Sequence, residues 1–101
     1  MQSAIEETIE RIKLHKGVER YIILDNGGAV PRSFPQGAED AEELGGVFKE
    51  VAKRATHVVR DLDPSDNLEF MRVRTANKEL MVGVHNEYTV IIQQRWTPAE
   101  A

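Results

Sequence analysis

The chain has 101 residues, 41% of them hydrophobic and 30% charged, with a formal net charge of −4 and no cysteine. These values are typical of one small globular domain, and the lack of cysteine excludes disulfides and thiolate metal sites. The negative charge argues against a nucleic-acid partner, which needs a broad basic patch. No apolar run approaches the roughly 20 residues required for membrane insertion. Residues 1–7 lack a signal-peptide pattern, so we expect an intracellular protein.

The first predicted element is an amphipathic helix over residues 4–16. Ile5, Ile9 and Ile12 recur at spacings of four and three residues, which gives a single apolar stripe. Gly17 follows as a residue suited to ending a helix in the left-handed conformation. The stripe predicts one buried helix face.

A hairpin is predicted next. Residues 18–24 form a strand that is apolar on both faces, which indicates a central position in a sheet. Residues 25–28, Asp-Asn-Gly-Gly, favour a tight turn, and residues 29–34 form the returning strand. Because Pro31 cannot donate to a ladder, we place this second strand at a sheet edge.

A second helix is predicted from the break at residues 35–37 to about Arg60. Its apolar residues recur at helical spacing: they are Leu44, Val47, Phe48, Val51, Ala52, Ala55, Val58 and Val59. Gly45 and Gly46 interrupt this helix, at a cost of about 1 kcal/mol each relative to alanine. Two interpretations stay open for them: tolerated weakness, or close approach of a neighbour such as the same helix of a second chain.

The segment after this helix predicts a structural turn built from Arg60, Asp61, Asp63 and Pro64. Aspartates in turns accept bonds from nearby backbone, and the proline fixes φ. The glycine and glutamate that a calcium loop needs at its sixth and twelfth positions are missing. We expect Asp61 to pair with Arg60 or with an arginine of the next strand.

Three strands complete the pattern, at residues 67–75, 80–84 and 88–93. The resulting order of one helix, two strands, one helix and three strands predicts an α+β fold. In it a five-stranded antiparallel sheet carries one helix on each face. The strand over 68–75 contains no proline, so at an edge it would be open to pairing with a twin. We therefore expect a proline at Val73 to weaken dimerisation.

No catalytic or metal-binding constellation is predicted. His15, His57 and His85 fall in different elements, whereas metal coordination needs convergent ligands. No serine has a paired base or a nucleophile elbow. We predict a non-enzyme without a cofactor or metal.

Several segments together carry a family resemblance. The strongest runs from Val59 through the Arg60-Asp61-Leu62-Asp63-Pro64 turn into Asn67-Leu68-Glu69-Phe70-Met71-Arg72-Val73-Arg74. Weaker matches lie at residues 5–8, 16–18, 78–82 and 88–93. In this order, the segments resemble the roadblock-type dynein light chains over almost the whole length. The resemblance implies the roadblock fold, which is profilin-like, over residues 1–96, with a flexible tail at 97–101.

The resemblance also implies a homodimer. Its third strands, here 68–75, would pair across a twofold axis into a ten-stranded sheet, and its second helices, here 44–58, would pack together. The implied interface residues are Leu44, Val47, Phe48, Val51, Ala55, Leu68, Phe70, Met71, Arg72, Val73 and Arg74. The dimer is implied to bind the dynein intermediate chain, and we predict contacts at Ile5, Ile9 and Ile12.

By the same resemblance, the chain is a light chain that contributes to cargo attachment and microtubule-based transport. It would act in the cytoplasm and cytoskeleton, or in the axoneme of a cilium or flagellum, and a paralogue could form a heterodimer with it. The alternative is a regulator or scaffold of small GTPases, since other roadblock-fold proteins have that role. The short stretch after Gln93, without a third helix, favours the dynein group.

Overall fold

The structure, a computed structural model, describes residues 2–37 and 39–95, with side chains from Ile5 onward. Its elements lie in the predicted order. They are α1 (Gln2–Lys13), β1 (Val18–Asp25), β2 (Arg32–Phe34), α2 (Ala41–Leu62), β3 (Phe70–Arg74), β4 (Lys78–Val84) and β5 (Tyr88–Arg95). The tail predicted at 97–101 lies outside the described residues. No helix within the described ranges is long and apolar enough to cross a membrane.

The five strands form one antiparallel sheet in the order β2-β1-β5-β4-β3. The predicted α+β fold is therefore confirmed. So are the central position of β1 and the edge position of β2. The third strand in sequence, β3, occupies the other edge. Every pair of neighbours is antiparallel, so short turns suffice between β3, β4 and β5.

Alternate residues of β1 build two cores, because successive strand side chains point to opposite faces. Ile23 packs on the α1 side with Ile5, Ile9, Ile12, Tyr88 and Val90. Ile22 and Leu24 pack on the α2 side with Ala41, Ala52, Val82 and Ile91. Full burial of an isoleucine or leucine contributes about 1.5–3 kcal/mol. β5 also contributes to both cores, through Val90 and Ile91, so these two neighbouring strands hold the sheet between the two helices.

Three elements are shorter than predicted: β3 has five residues instead of the stretch 67–75, and α1 and β2 are also shortened. α1 ends at Lys13 instead of residue 16, because the amides of Leu14 and His15 bond three residues back, in a tighter turn before Gly17 (φ +78°). β2 has three residues instead of six, since the Asp25 carboxylate accepts bonds from the amides of the loop that follows, at 2.9 and 3.0 Å. These bonds hold a six-residue connection where a tight hairpin was predicted.

Gly45 lies where α2 comes closest to the sheet. A Cβ at this position would lie 2.8 Å from Cδ2 and 2.9 Å from Cδ1 of Leu24, which is fully buried. For Gly45, therefore, the close neighbour is a strand of the same chain. Gly46 has nothing within 4 Å of the corresponding point, so its environment is open.

Candidate interaction surface

β3 presents one side of its backbone to solvent. The Thr75 amide donates to the Lys78 carbonyl (2.8 Å), and the Val84 amide donates to the Glu69 carbonyl (3.0 Å). Bonding alternates along an antiparallel ladder, so the odd-numbered residues of β3 bond to β4. The backbone N–H and C=O groups of the even-numbered residues, Phe70, Arg72 and Arg74, consequently point outward.

This alternation corrects one prediction. Val73 lies opposite Leu80, and its amide is directed at β4. A proline at Val73 would therefore break a bond inside the sheet, and the sequence-based choice of this position as a test of the open edge is wrong. The edge is tested at Arg72, whose amide points away from β4.

The side chains of β3 divide between the two faces of the sheet. Phe70, Arg72 and Arg74 lie on the α1 face, where Phe70 is 51% exposed and the Arg72 guanidinium carbon lies 5.6 Å from its ring centroid. Met71 packs against the α2-side core, and Val73 is 39% exposed. The edge strand therefore offers apolar and cationic groups together with outward-pointing backbone groups.

The two arginines share a carboxylate that the sequence did not single out. Glu79 lies directly opposite Arg74 in β4, and its side chain is only 4% exposed. It accepts bonds from Arg74 Nη2 and Nε at 2.7 and 2.9 Å, and it lies 3.5 Å from Arg72 Nε. Its partners are the arginines that were expected to pair with Asp61. The sequence signal that was missed is that Arg74 and Glu79 directly flank the turn at residues 75–78, which places them opposite each other in a hairpin.

α2 presents a second surface beside the sheet. Val47, Val51 and Val58 are 55%, 44% and 59% exposed, and with the exposed Leu62 they recur at spacings of four, seven and four residues. This is the spacing of a helix–helix seam. Leu44, Phe48 and Ala55 are half-buried on the flank that meets the core. The predicted apolar stripe is therefore two surfaces, one used within the chain and one unpartnered.

A shallow groove runs along the exposed flank of α2. It is lined by Glu43, Gly46, Val47, Glu50 and Val51, among others. Gly46 has no side chain, and nothing lies within 4 Å of the position that a Cβ would occupy, so the groove is open there. Of the two interpretations of the glycine pair, close approach within the chain applies to Gly45, whereas Gly46 faces the groove.

The turn between α2 and β3 is held by its own polar groups. Asp63 accepts bonds from the Ser65 amide (3.0 Å) and hydroxyl (2.8 Å), and these bonds hold the pKa of the Asp63 carboxyl below its ordinary value. Arg60 donates to the Asn67 side-chain oxygen. Pro64 is exposed in this turn, whereas Arg60 and Asp61, which were predicted as part of the turn, lie in the last helical turn of α2. The contacts fix the direction in which the chain enters β3.

The three isoleucines predicted to contact a partner lie inside the molecule. Ile5, Ile9 and Ile12 are all buried against β1 and β5, because their stripe is the face by which α1 packs on the sheet. They are therefore unavailable for direct binding. A partner that reaches α1 must use its exposed face, and these three positions act by holding the helix in place.

Within the described ranges, no three histidine, aspartate or glutamate residues gather as metal ligands would. The interface residues predicted on β3 and α2 are all half-buried or exposed in the single chain. Their burial in a dimer stays a prediction. The arrangement suits contact with another chain.

Comparison with known proteins gives one family and two related folds. The Roadblock/LC7 domain matches residues 4–93. A Roadblock/LC7 domain from Streptomyces avermitilis has a TM-score of 0.75 at 8% sequence identity, over 86% of this chain and 73% of that one. MglB from Myxococcus xanthus has a TM-score of 0.67 at 13% identity, over 84% and 70%. At these identities the two structures establish likeness of fold.

Proposed function

Since the chain belongs to the Roadblock/LC7 family, we propose that it is a homodimeric, non-catalytic light chain of a dynein motor complex. In this role it binds the dynein intermediate chain and contributes to cargo attachment and microtubule-based transport, in the cytoplasm or in an axoneme. The family is generally non-catalytic, and proteins of this fold generally form dimers and act through partners.

The observation that carries the proposal is the open edge of β3. Its outward-pointing backbone groups form a row to which a second strand can bond. A twofold axis perpendicular to the sheet would pair two copies of β3 antiparallel, and it would leave both α2 helices on the same face. The seam of Val47, Val51 and Val58 would then be available to the second helix. Strand and helix together support a single continuous interface.

The dynein assignment goes beyond dimerisation, and it is supported by the segment from Arg60 to Arg74. The turn and edge strand in this segment are the part of the sequence that most resembles roadblock-type light chains. In the structure, the turn contacts of Asp63 and Arg60 lead directly into β3. The segment that carries the resemblance thus includes the edge strand of the candidate interface.

A native pull-down from the source cells tests this function. We expect the tagged full chain to recover a dynein intermediate chain, identified by mass spectrometry. The Arg72→Pro variant serves as a matched bait, and we expect it to recover much less, because the partner would bind the dimer. Light scattering at micromolar concentration gives the oligomeric state, and a monomeric mass for the unmodified chain would refute the homodimer.

The second candidate is a regulator or scaffold of small GTPases. It is favoured by the likeness of fold to MglB, since roadblock-fold proteins of bacteria include GTPase regulators. The same pull-down separates the two functions. Recovery of a small GTPase without any dynein subunit would favour the second function over the first.

A further inference from the structure

The nearly buried carboxylate of Glu79 lies on β4, the strand next to the edge strand β3. Glu79 accepts bonds from Arg74 at 2.7 and 2.9 Å, lies 3.5 Å from Arg72, and accepts a longer bond from Gln94 at 3.4 Å. Withdrawing an unpaired carboxylate from water is costly, so its cationic partners stabilise it in this position. The pairing draws both guanidinium groups inward, over β4.

The same two arginines belong to the outward-bonding set of β3. Hydrogen-bonded pairs across a seam between two copies of β3 can come only from Phe70, Arg72 and Arg74, because these residues direct their N–H and C=O groups away from β4. Opposed residues in such a pair have Cα atoms about 5.5 Å apart and share a face of the sheet. Arginine side chains are therefore brought together at the seam.

Arginines of the two copies lie close together whether the twofold axis passes at Met71, Arg72 or Val73. If the twofold axis passes at Arg72, Arg72 opposes Arg72 of the second copy. If it passes at Val73, Arg72 opposes Arg74 of the second copy. If it passes at Met71, Arg72 opposes Phe70 and lies diagonal to Arg72 of the second copy. Like charges in directly opposite positions destabilise a sheet, and diagonal neighbours are within reach of long side chains.

We propose that Glu79 is the positioning residue that allows β3 to pair with a second copy of this chain. Its carboxylate reduces the repulsion between the two sets of arginines and holds their guanidinium groups over β4, away from the seam. The role rests on the proposed homodimer, and it makes self-pairing depend on a residue that does not touch the second copy's backbone.

Replacing Glu79 by glutamine tests the proposal, because glutamine keeps the size of the side chain and removes its charge. We expect Glu79→Gln to weaken the homodimer by about tenfold or more at low ionic strength, measured by analytical ultracentrifugation of the full chain. Salt screens exposed charges over about 10 Å at 0.1 M, so we expect the loss to shrink at about 0.5 M NaCl. The matched control is Glu87→Gln, an exposed glutamate in the β4–β5 turn, which should leave the affinity unchanged.

A second variant separates charge repulsion from a merely structural role. If repulsion causes the loss, Glu79→Gln combined with Arg72→Gln and Arg74→Gln should regain dimerisation, with little dependence on salt. The triple variant also decides the question if Glu79→Gln alone folds poorly, as circular dichroism would reveal. A triple variant that stays monomeric would overturn the proposal.

The outcomes distinguish this inference from the function on which it rests. If the unmodified chain is monomeric at every salt concentration, the proposed homodimer fails. If it is dimeric and Glu79→Gln has the same affinity, or a loss that salt does not relieve, the homodimer stands and the role of Glu79 is refuted. Relief by salt and by removal of the arginines would support that role.

Discussion

The two edge strands of the sheet, β2 and β3, differ in how well they are protected from pairing with another strand. β2 has three residues and lies between Pro31 and Pro35. Its side chains are engaged within the chain: Arg32 bonds Glu6 of α1, and Phe34 stacks on Tyr21 with ring centroids 5.9 Å apart. Short length and flanking prolines are means by which proteins prevent strands from pairing at an edge.

β3 has the reverse features. It has five residues and no proline, and its even-numbered residues direct their backbone groups away from β4. On one face of the same sheet, α2 leaves Val47 and Val51 exposed. The comparison teaches that only one of these two edges is protected. The β2 edge is blocked by its short length and flanking prolines. The β3 edge is open to pairing, and its arginines are paired with Glu79 of β4.

The largest effect is expected at the backbone of the open edge. Arg72→Pro removes an outward N–H group and places the proline ring in the seam, so we expect no detectable homodimer at micromolar concentration by light scattering. Because the Arg72 amide does not bond to β4, the single chain should retain its fold, as judged by circular dichroism.

Arg72→Gln is the matched control for this change. It removes the charge and keeps the backbone donor, so it should remain dimeric. If Arg72→Gln is as monomeric as Arg72→Pro, the side chain rather than the backbone edge maintains the dimer. If both remain dimeric, the chain pairs through another surface and the contrast between the edges has no role in assembly.

The next effect is expected on the exposed flank of α2. Val51→Asp should weaken the homodimer roughly tenfold to a hundredfold, because a carboxylate would be buried on both sides of a symmetric interface. Leu14→Asp is a suitable control: Leu14 is 84% exposed and lies after α1, outside the predicted seam. Sedimentation equilibrium measures both. Equal affinities for the two variants would remove α2 from the interface.

A smaller pair of effects separates contacts inside the chain from the open groove. Gly45→Ala would press a Cβ against Leu24 in a filled core, at a cost of about 1–3 kcal/mol. The better helix propensity of alanine offsets about 1 kcal/mol of this. Gly46→Ala meets open space, so it should stabilise the single chain by about 0.4–1 kcal/mol.

Urea unfolding in the Arg72→Pro background measures both glycine variants without a contribution from dimerisation, which otherwise makes stability depend on concentration. Opposite signs are expected for the two substitutions. If both stabilise the chain equally, Gly45 has no special packing role and the glycine pair serves only to weaken the helix.

Periodic features of the sequence predicted most of the fold. The spacing of Ile5, Ile9 and Ile12 predicted the buried face of α1, and the double-sided apolar run of β1 predicted its central position. Pro31 marked a protected edge. These signals are local, because side-chain direction repeats every 3.6 residues in a helix and every two in a strand.

The features that the sequence did not predict depend on contacts between distant segments. Gly45 is required by Leu24, which lies in another element, and no local pattern reports that distance. Glu79 was missed because its partners are fixed only by the register of β3 against β4. The isoleucines of α1 were assigned to a partner, although a single apolar stripe on a small domain is first needed for its own core. For the same reason, the α2 stripe could not be divided into its two surfaces.

The smallest effect is expected three strands away from β3, where Arg20 of β1 donates two hydrogen bonds, at 3.0 and 3.1 Å, to Asp40 at the start of α2. These bonds lower the pKa of the Asp40 carboxyl below its ordinary value of 3.8. The ionised carboxylate therefore stabilises the fold above that value, and its contribution is lost as the pH falls through the lower pKa of the folded state.

Asp40→Asn should be slightly less stable than the unmodified chain at about pH 7, and the difference should shrink at about pH 3. Urea unfolding at both pH values measures it, with Glu39→Gln, a substitution at an exposed neighbour, as the control. Dimer affinity should be unchanged in both variants. An equal loss of stability at both pH values would mean that packing, and not charge, explains the effect of Asp40→Asn. A weaker dimer would mean that the interface includes the region of Arg20 and Asp40 and is not confined to the β3 edge.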